Sequence, residues 1–155
     1  SMAANKKYRY RMILLFIIYL VLLGYFLFFS EGMGRQRNDA EFRYNLVLFR
    51  EIKRFIYHAD ILGMKAVLIN ILGNIVVFMP FGYFIPRISK KTVGVLMTVF
   101  FSFEFSLLIE IMQLISRKGT FDVDDLFLNT IGGLLGYIVY FVIHKCIQVR
   151  RKNNK

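Results

Sequence analysis

Four apolar stretches, each long enough to cross a bilayer and each bounded by charge, constrain this chain more than any other feature. About 20 helical residues cross a hydrocarbon core of roughly 30 Å, and residues 12–30, 66–85, 93–116 and 126–144 each approach or exceed that length. The chain has 155 residues, 57% of them hydrophobic, yet it carries a net charge of +11. Such values do not fit an ordinary soluble domain. They fit a membrane protein, because a bilayer accepts charge only at its boundaries. The expected fold class is an all-α membrane protein, a single domain of four transmembrane helices.

The first stretch follows Lys6, Lys7, Arg9 and Arg11, contains no charge and shows no Ala-x-Ala-like cleavage pattern. It reads as an uncleaved signal anchor. Ser1-Met2 reads as the scar of a cleaved tag ahead of the native start. The single cysteine, Cys146, excludes an intramolecular disulfide and a Cys-based zinc site.

Orientation follows from the distribution of Lys and Arg in the short connections. One side holds the N-terminal cluster, Arg87, Lys90 and Lys91, and a tail with Lys145, Arg150, Arg151, Lys152 and Lys155. All twelve of its charges are positive; the other side mixes nine basic residues with eight acids. The expectation is therefore N-in and C-in, in the bacterial inner membrane. Short juxtamembrane basic clusters suit anionic lipid headgroups, and they do not form the groove-reading module that a nucleic-acid binder needs.

The connection between the first two spans is too long for a turn and too apolar for a linker. Within residues 42–57, Phe42, Leu46, Phe49, Ile52 and Ile56 recur at helical spacing, with Arg43, Arg50, Lys53 and Arg54 between them. An amphipathic helix is expected there, either interfacial, re-entrant or packed on the bundle.

Polar residues inside the spans narrow the functional reading. Asn70 and Asn74 share a helical face, about 40° apart. Pro80 and Gly82 follow, so the second half of this helix is expected to be bent or broken. In the third span, Glu110, Gln113 and Arg117 form one stripe, whereas Glu104 is rotated about 120° from Glu110. Asp122, Asp125 and Asn129 lie on one face at the start of the fourth span, where acids are favoured by unpaired backbone amides. Gly132 and Gly136 continue from that face with a small-xxx-small spacing that allows close helix approach. Hydrocarbon penalises isolated amides and carboxylates. Asn70, Asn74, Glu110, Gln113, Arg117, Asp122, Asp125 and Asn129 are therefore expected to line a polar cavity in the outer leaflet. His58 and His144 stand alone and read as interface markers.

These motifs resemble the VanZ-like family of bacterial membrane proteins. The matching stretches are Asn70-Ile-Leu-Gly-Asn74-Ile-Val-Val-Phe78-Met-Pro80-Phe-Gly82, then Glu110-Ile-Met-Gln113, then Arg117-Lys-Gly-Thr-Phe-Asp122-Val-Asp-Asp125-Leu-Phe-Leu-Asn129-Thr-Ile-Gly132-Gly-Leu-Leu-Gly136. The resemblance implies an association with low-level glycopeptide resistance, to teicoplanin in particular, and names no reaction.

Three mechanisms stay open at this point. In the first, the cavity binds or helps to modify an envelope lipid, a lipid-linked cell-wall precursor or the lipoglycopeptide itself, with Arg117 holding an anionic group. In the second, a membrane-embedded enzyme uses Glu110 or Asp122 as general acid/base, with Asp125 helping to bind a hard cation. In the third, the same residues form a structural network between helices. No cofactor is implied, membrane lipids are expected partners, and a homo-oligomer is compatible with the glycine spacing.

Overall fold

The computed structural model of the chain describes residues 2–29, 44–116 and 119–153. Its long helices are α1 (Met2–Phe29), α4 (Met64–Ile88), α5 (Val95–Ser116) and α6 (Val123–Asn153). All four are long and apolar enough to cross a membrane. Between α1 and α4 lie strand β1 (Tyr44–Asn45) and the short helices α2 (Arg50–Tyr57) and α3 (Ala59–Leu62); strand β2 (Phe121–Asp122) precedes α6. The chain is an all-α, multi-pass membrane protein, as its hydrophobic pattern requires.

Backbone chemistry explains the boundaries of α4. It starts after Gly63, which takes a left-handed φ of 85°, a conformation that glycine adopts without a Cβ penalty. It ends at Ser89, whose backbone is extended. Of the bend or break expected in the second half, the break is absent: α4 runs unbroken through Pro80 and Pro86. Phe78, Phe81 and Gly82 around Pro80 are buried against neighbouring helices, so packing on both sides outweighs the one backbone bond that proline removes.

Helix α6 is the centre of the bundle, and its glycines explain why. A methyl group built on Gly136 would drive into the Met79 carbonyl oxygen, one on Gly132 into the Ile75 carbonyl, and one on Gly82 into the Gly133 backbone. The backbones of α4 and α6 are thus in direct contact, an approach that only residues without side chains permit. On the adjoining face, a methyl group on Gly133 would strike the Ser102 side chain of α5. The small-xxx-small spacing therefore joins helices within one chain.

Helix α1 packs against the far side of α4. Phe16 lies 5.7 Å, ring to ring, from both Phe81 and Phe84, and the Tyr19 hydroxyl donates to the Val77 carbonyl at 2.9 Å. The core joins Leu23 of α1, Phe78 of α4 and Ile109 of α5, with Phe81 and Phe105 stacked 4.6 Å apart beside it.

The two ends of the bundle differ in chemistry. At one, Arg9 donates through Nε to the Ile88 carbonyl at 2.9 Å, and the Arg87 guanidinium lies over Tyr83 and Tyr140, 4.6 and 5.7 Å from their centroids. At the other, β1 and β2 pair in parallel, Tyr44 with Phe121 and Asn45 with Asp122. This pairing ties the connection before α4 to the start of α6. It also changes the amphipathic segment expected over residues 42–57. Residues 42 and 43 lie outside the described residues, 44–45 form β1, and the helix begins only at Arg50. Phe49 separates the two with a left-handed φ of 65°.

Candidate functional site

The polar end is built outward from Asp122. Its backbone N–H donates to Glu110 Oε2 at 2.9 Å, joining β2 to the last turns of α5. Its Oδ1 accepts twice, from Asn45 Nδ2 at 3.0 Å and from the Asp124 amide at 2.9 Å. The second contact is the local aspartate-to-backbone bond that starts a helix, so Asp122 also serves as the leading cap of α6. Asn45 in turn accepts from the Val47 amide at 3.2 Å, which turns the chain toward α2.

Asp124 is almost fully buried and faces the opposite way, toward α2. Its Oδ2 accepts from the amides of Glu51 at 2.7 Å and Ile52 at 3.1 Å, and its Oδ1 accepts from the Phe49 amide. These are the amides that the start of a helix leaves unpaired. Phe49, at the cap position, has no side-chain oxygen to satisfy them. A carboxylate from a distant helix supplies the cap, in the favourable field of the helix N-terminus.

Deeper in the bundle, Asn74 Nδ2 donates to Asp125 Oδ1 at 2.6 Å, a bridge from α4 to α6. Asn129 Nδ2 donates to Ser106 Oγ at 2.9 Å, a bridge from α6 to α5. Gln113 is buried beside Glu110 on α5. The Asn129 Oδ1 is buried and finds no hydrogen-bond donor among the described residues.

The structure thus gathers Asn74, Glu110, Gln113, Asp122, Asp125 and Asn129 at one end of the bundle. Asn70 is not gathered: it is exposed, and its Nδ2 donates to the Ala66 carbonyl of its own helix at 2.8 Å. One of its two N–H donors is thus satisfied within α4. Arg117 lies outside the described residues. Glu104 is exposed on another face of α5.

Three participants escaped the sequence reading. Asp124 is one of three aspartates in four positions, and its hint is the absence of any capping side chain on α2. Asn45 fell within a segment read as helical and gave no hint of strand pairing. Ser106 is legible in retrospect, because Thr98, Ser102, Ser106, Glu110 and Gln113 follow one helical face and are all buried.

Burial raises the Asp122 carboxyl above its ordinary value of 3.8, and the nearby carboxylates of Asp124 and Glu51 push in the same direction. The bonds from the Asp124 amide and the Asn45 side chain act against that rise. Among the described residues, no group of three or more His, Cys, Asp or Glu side chains is arranged to hold a metal ion. The carboxylates of Glu110, Asp122 and Asp125 all accept hydrogen bonds from within the chain.

The chain is similar in sequence to known proteins. The chain is 32% identical over 82 residues to Protein VanZ of Enterococcus faecium, an alignment covering 53% of this chain and 50% of the relative. The chain spans about half the length of that curated relative. No solved structure is significantly similar. The VanZ/LLP1 family matches residues 16–144, across all four long helices and the polar end that joins them, and the chain belongs to that family.

Proposed function

We propose that this VanZ/LLP1 protein lies in the bacterial cell membrane with its Asp122 end facing outward, and that this end binds an envelope molecule: a lipid headgroup, a lipid-linked cell-wall precursor or a lipoglycopeptide. The observation that carries the reading is the convergence of Glu110, Asp122 and Asp125 with Asn74 and Asn129, from α4, α5, β2 and α6, at one end of the bundle. Carboxylates and amide oxygens accept hydrogen bonds, and sugar hydroxyls, peptide amides and ammonium groups donate them. The buried Asn129 Oδ1 supports the same reading, since a lone buried acceptor costs about 1–3 kcal/mol unless a bound molecule donates to it. The outward orientation rests on the uniformly positive charge near the opposite end.

Arg117 supplies the complementary function in this reading, as a bidentate holder of phosphate. Helix α2, with Arg50, Lys53 and Arg54, lies at the outer headgroup level. The family resemblance extends the proposal to teicoplanin resistance. Native mass spectrometry of the gently solubilised protein tests it. A co-purifying lipid-linked molecule is expected, retained less by Arg117→Ala and Asn129→Leu; equal retention by both variants would discard the binding role.

A second reading draws support from the raised Asp122 carboxyl, which suits a general acid in a reaction on a lipid-linked substrate. It predicts that Glu110→Gln and Asp125→Asn, correctly inserted, lose turnover. Unchanged turnover in both would remove these residues from catalysis.

A further inference from the structure

Arg87 stands at the end of the bundle opposite Asp122, in the last turn of α4. Its guanidinium is enclosed by tyrosine rings from three helices: Tyr8 of α1, Tyr83 of α4 and Tyr140 of α6, with centroids 5.9, 4.6 and 5.7 Å away. Nη1 donates to the Tyr8 hydroxyl. Arg9 is anchored beside it, since its Nε donates to the carbonyl of Ile88, the next residue of α4. No carboxylate balances this positive charge among the described residues: the acids within 51–60 and 110–125 belong to the opposite end. Glu104 lies about 14 Å along α5 from Val95, at 1.5 Å per residue. Arg87 Nε is buried and has no hydrogen-bond partner among the described residues, a costly state for a donor on a charged group.

We propose that Arg87 and its tyrosine box form a binding site for a phosphate group, the phosphodiester of an anionic lipid headgroup being the occupant that the depth of the site favours. The edge of the guanidinium formed by Nε and Nη2, which the Tyr8 bond leaves free, is a planar fork that takes phosphate oxygens bidentately. The surrounding rings hold the guanidinium in place through their faces, so the fork is positioned before a ligand arrives. Tyr8 is the exposed wall of the box, and a shift of its ring opens the guanidinium to a headgroup. Its freed hydroxyl then donates to a remaining phosphate oxygen. The last turn of a membrane span lies at headgroup depth, and basic pockets between spans take anionic headgroups there. Lys90 and Lys91, both exposed just beyond α4, attract the same lipids by charge alone and supply no fork. The site is separate from the polar end around Asp122 and independent of the function proposed for it.

The test uses the full chain in a maltoside detergent, which carries no phosphate, with native mass spectrometry counting the molecules retained as phosphatidylglycerol is added. A single molecule per chain is expected to bind ahead of the rest. Arg87→Gln and Arg87→Lys should each weaken that first binding about tenfold, the lysine because it keeps the charge and loses the fork. Lys90→Gln combined with Lys91→Gln should leave it within about twofold, since these side chains act only through diffuse charge. Thermal unfolding in the same detergent separates the two sources of phosphate. A stabilisation by phosphatidylglycerol that inorganic phosphate does not reproduce assigns the site to lipid, and an equal stabilisation by inorganic phosphate assigns it to a soluble anion. No stabilisation by either would overturn the proposal. So would an Arg87→Lys protein that binds as the wild type does, or equal weakening by the paired lysine substitutions. If the Arg87 variants do not insert, the wild type alone decides, because graded uptake of lipid with no distinct first molecule would also overturn it.

Discussion

Asp124 accepts a 2.7 Å hydrogen bond from the backbone amide of Glu51, a residue 73 positions earlier in the chain. With the further bonds to Ile52 and Phe49, this contact makes one side chain of α6 the N-terminal cap of α2. A surface helix of eight residues is too short to persist on its own propensity. Its docking against α6 therefore depends on Asp124, which positions the start of α2.

Asp124→Ala should accordingly release α2 more than it unfolds the bundle. The expected loss is about 2 kcal/mol, the upper range for removal of a helix cap, because undocking lets water satisfy the freed amides. Hydrogen exchange should show lost protection across residues 50–57 while α4 and α6 stay protected. Uniform loss of protection throughout the chain would contradict this division.

The contacts between α4 and α6 leave no room for a side chain, so Gly136→Ala should cost roughly 1–3 kcal/mol or more, the range for overpacking a core. Gly73→Ala provides the opposite case. No heavy atom outside its own helix lies within 4 Å of a methyl group placed there, and replacing a helical glycine by alanine gains up to about 1 kcal/mol. Thermal unfolding in detergent should move down for the first variant and stay level or rise for the second.

The bridge from Asn129 to Ser106 should contribute less than the glycine packing. Interhelical polar contacts in membrane proteins average about 0.6 kcal/mol and reach about 1.7 kcal/mol, because the alternative states also find partners. A double-mutant cycle with Ser106→Ala and Asn129→Leu should return a coupling in that range. A coupling near zero would mean that the 2.9 Å contact contributes nothing to stability.

The raised Asp122 carboxyl makes stability depend on pH in a defined direction. A group whose native pKa lies above its unfolded value holds its proton more tightly in the folded state. Its stabilising contribution is complete below the unfolded value of 3.8 and disappears as pH rises through the native value. Wild type should therefore gain stability relative to Asp122→Asn as pH falls toward 3.8. Paired thermal-unfolding curves across the acidic range measure this difference, and a flat or opposite trend would reject the assignment.

Much of the architecture is legible without coordinates. Hydrophobic length identifies all four long helices, because lipid admits a backbone only when its polar groups are satisfied within the segment. Helical spacing places Glu110 with Gln113, and Asp122 with Asp125 and Asn129, on shared faces. Spacing misled where tertiary contacts override local pattern. Residues 44–45 sit in an amphipathic run, yet they pair with 121–122 as strand. Pro80 looks like a break, yet buried neighbours carry α4 through it.

The order of hydrophobic and charged residues by itself determined that this chain has four membrane-spanning helices and that Glu110 and Gln113, like Asp125 and Asn129, share helical faces. Only the tertiary structure decided which of them meet: Asn74 reaches Asp125 while Asn70 bonds its own helix, Asp124 caps α2, and Gly132 and Gly136 face α4 of the same chain. The physical reason is that periodicity specifies the face of a helix on which a residue lies. The rotation of that face toward a particular neighbour is set by close packing between segments far apart in the chain.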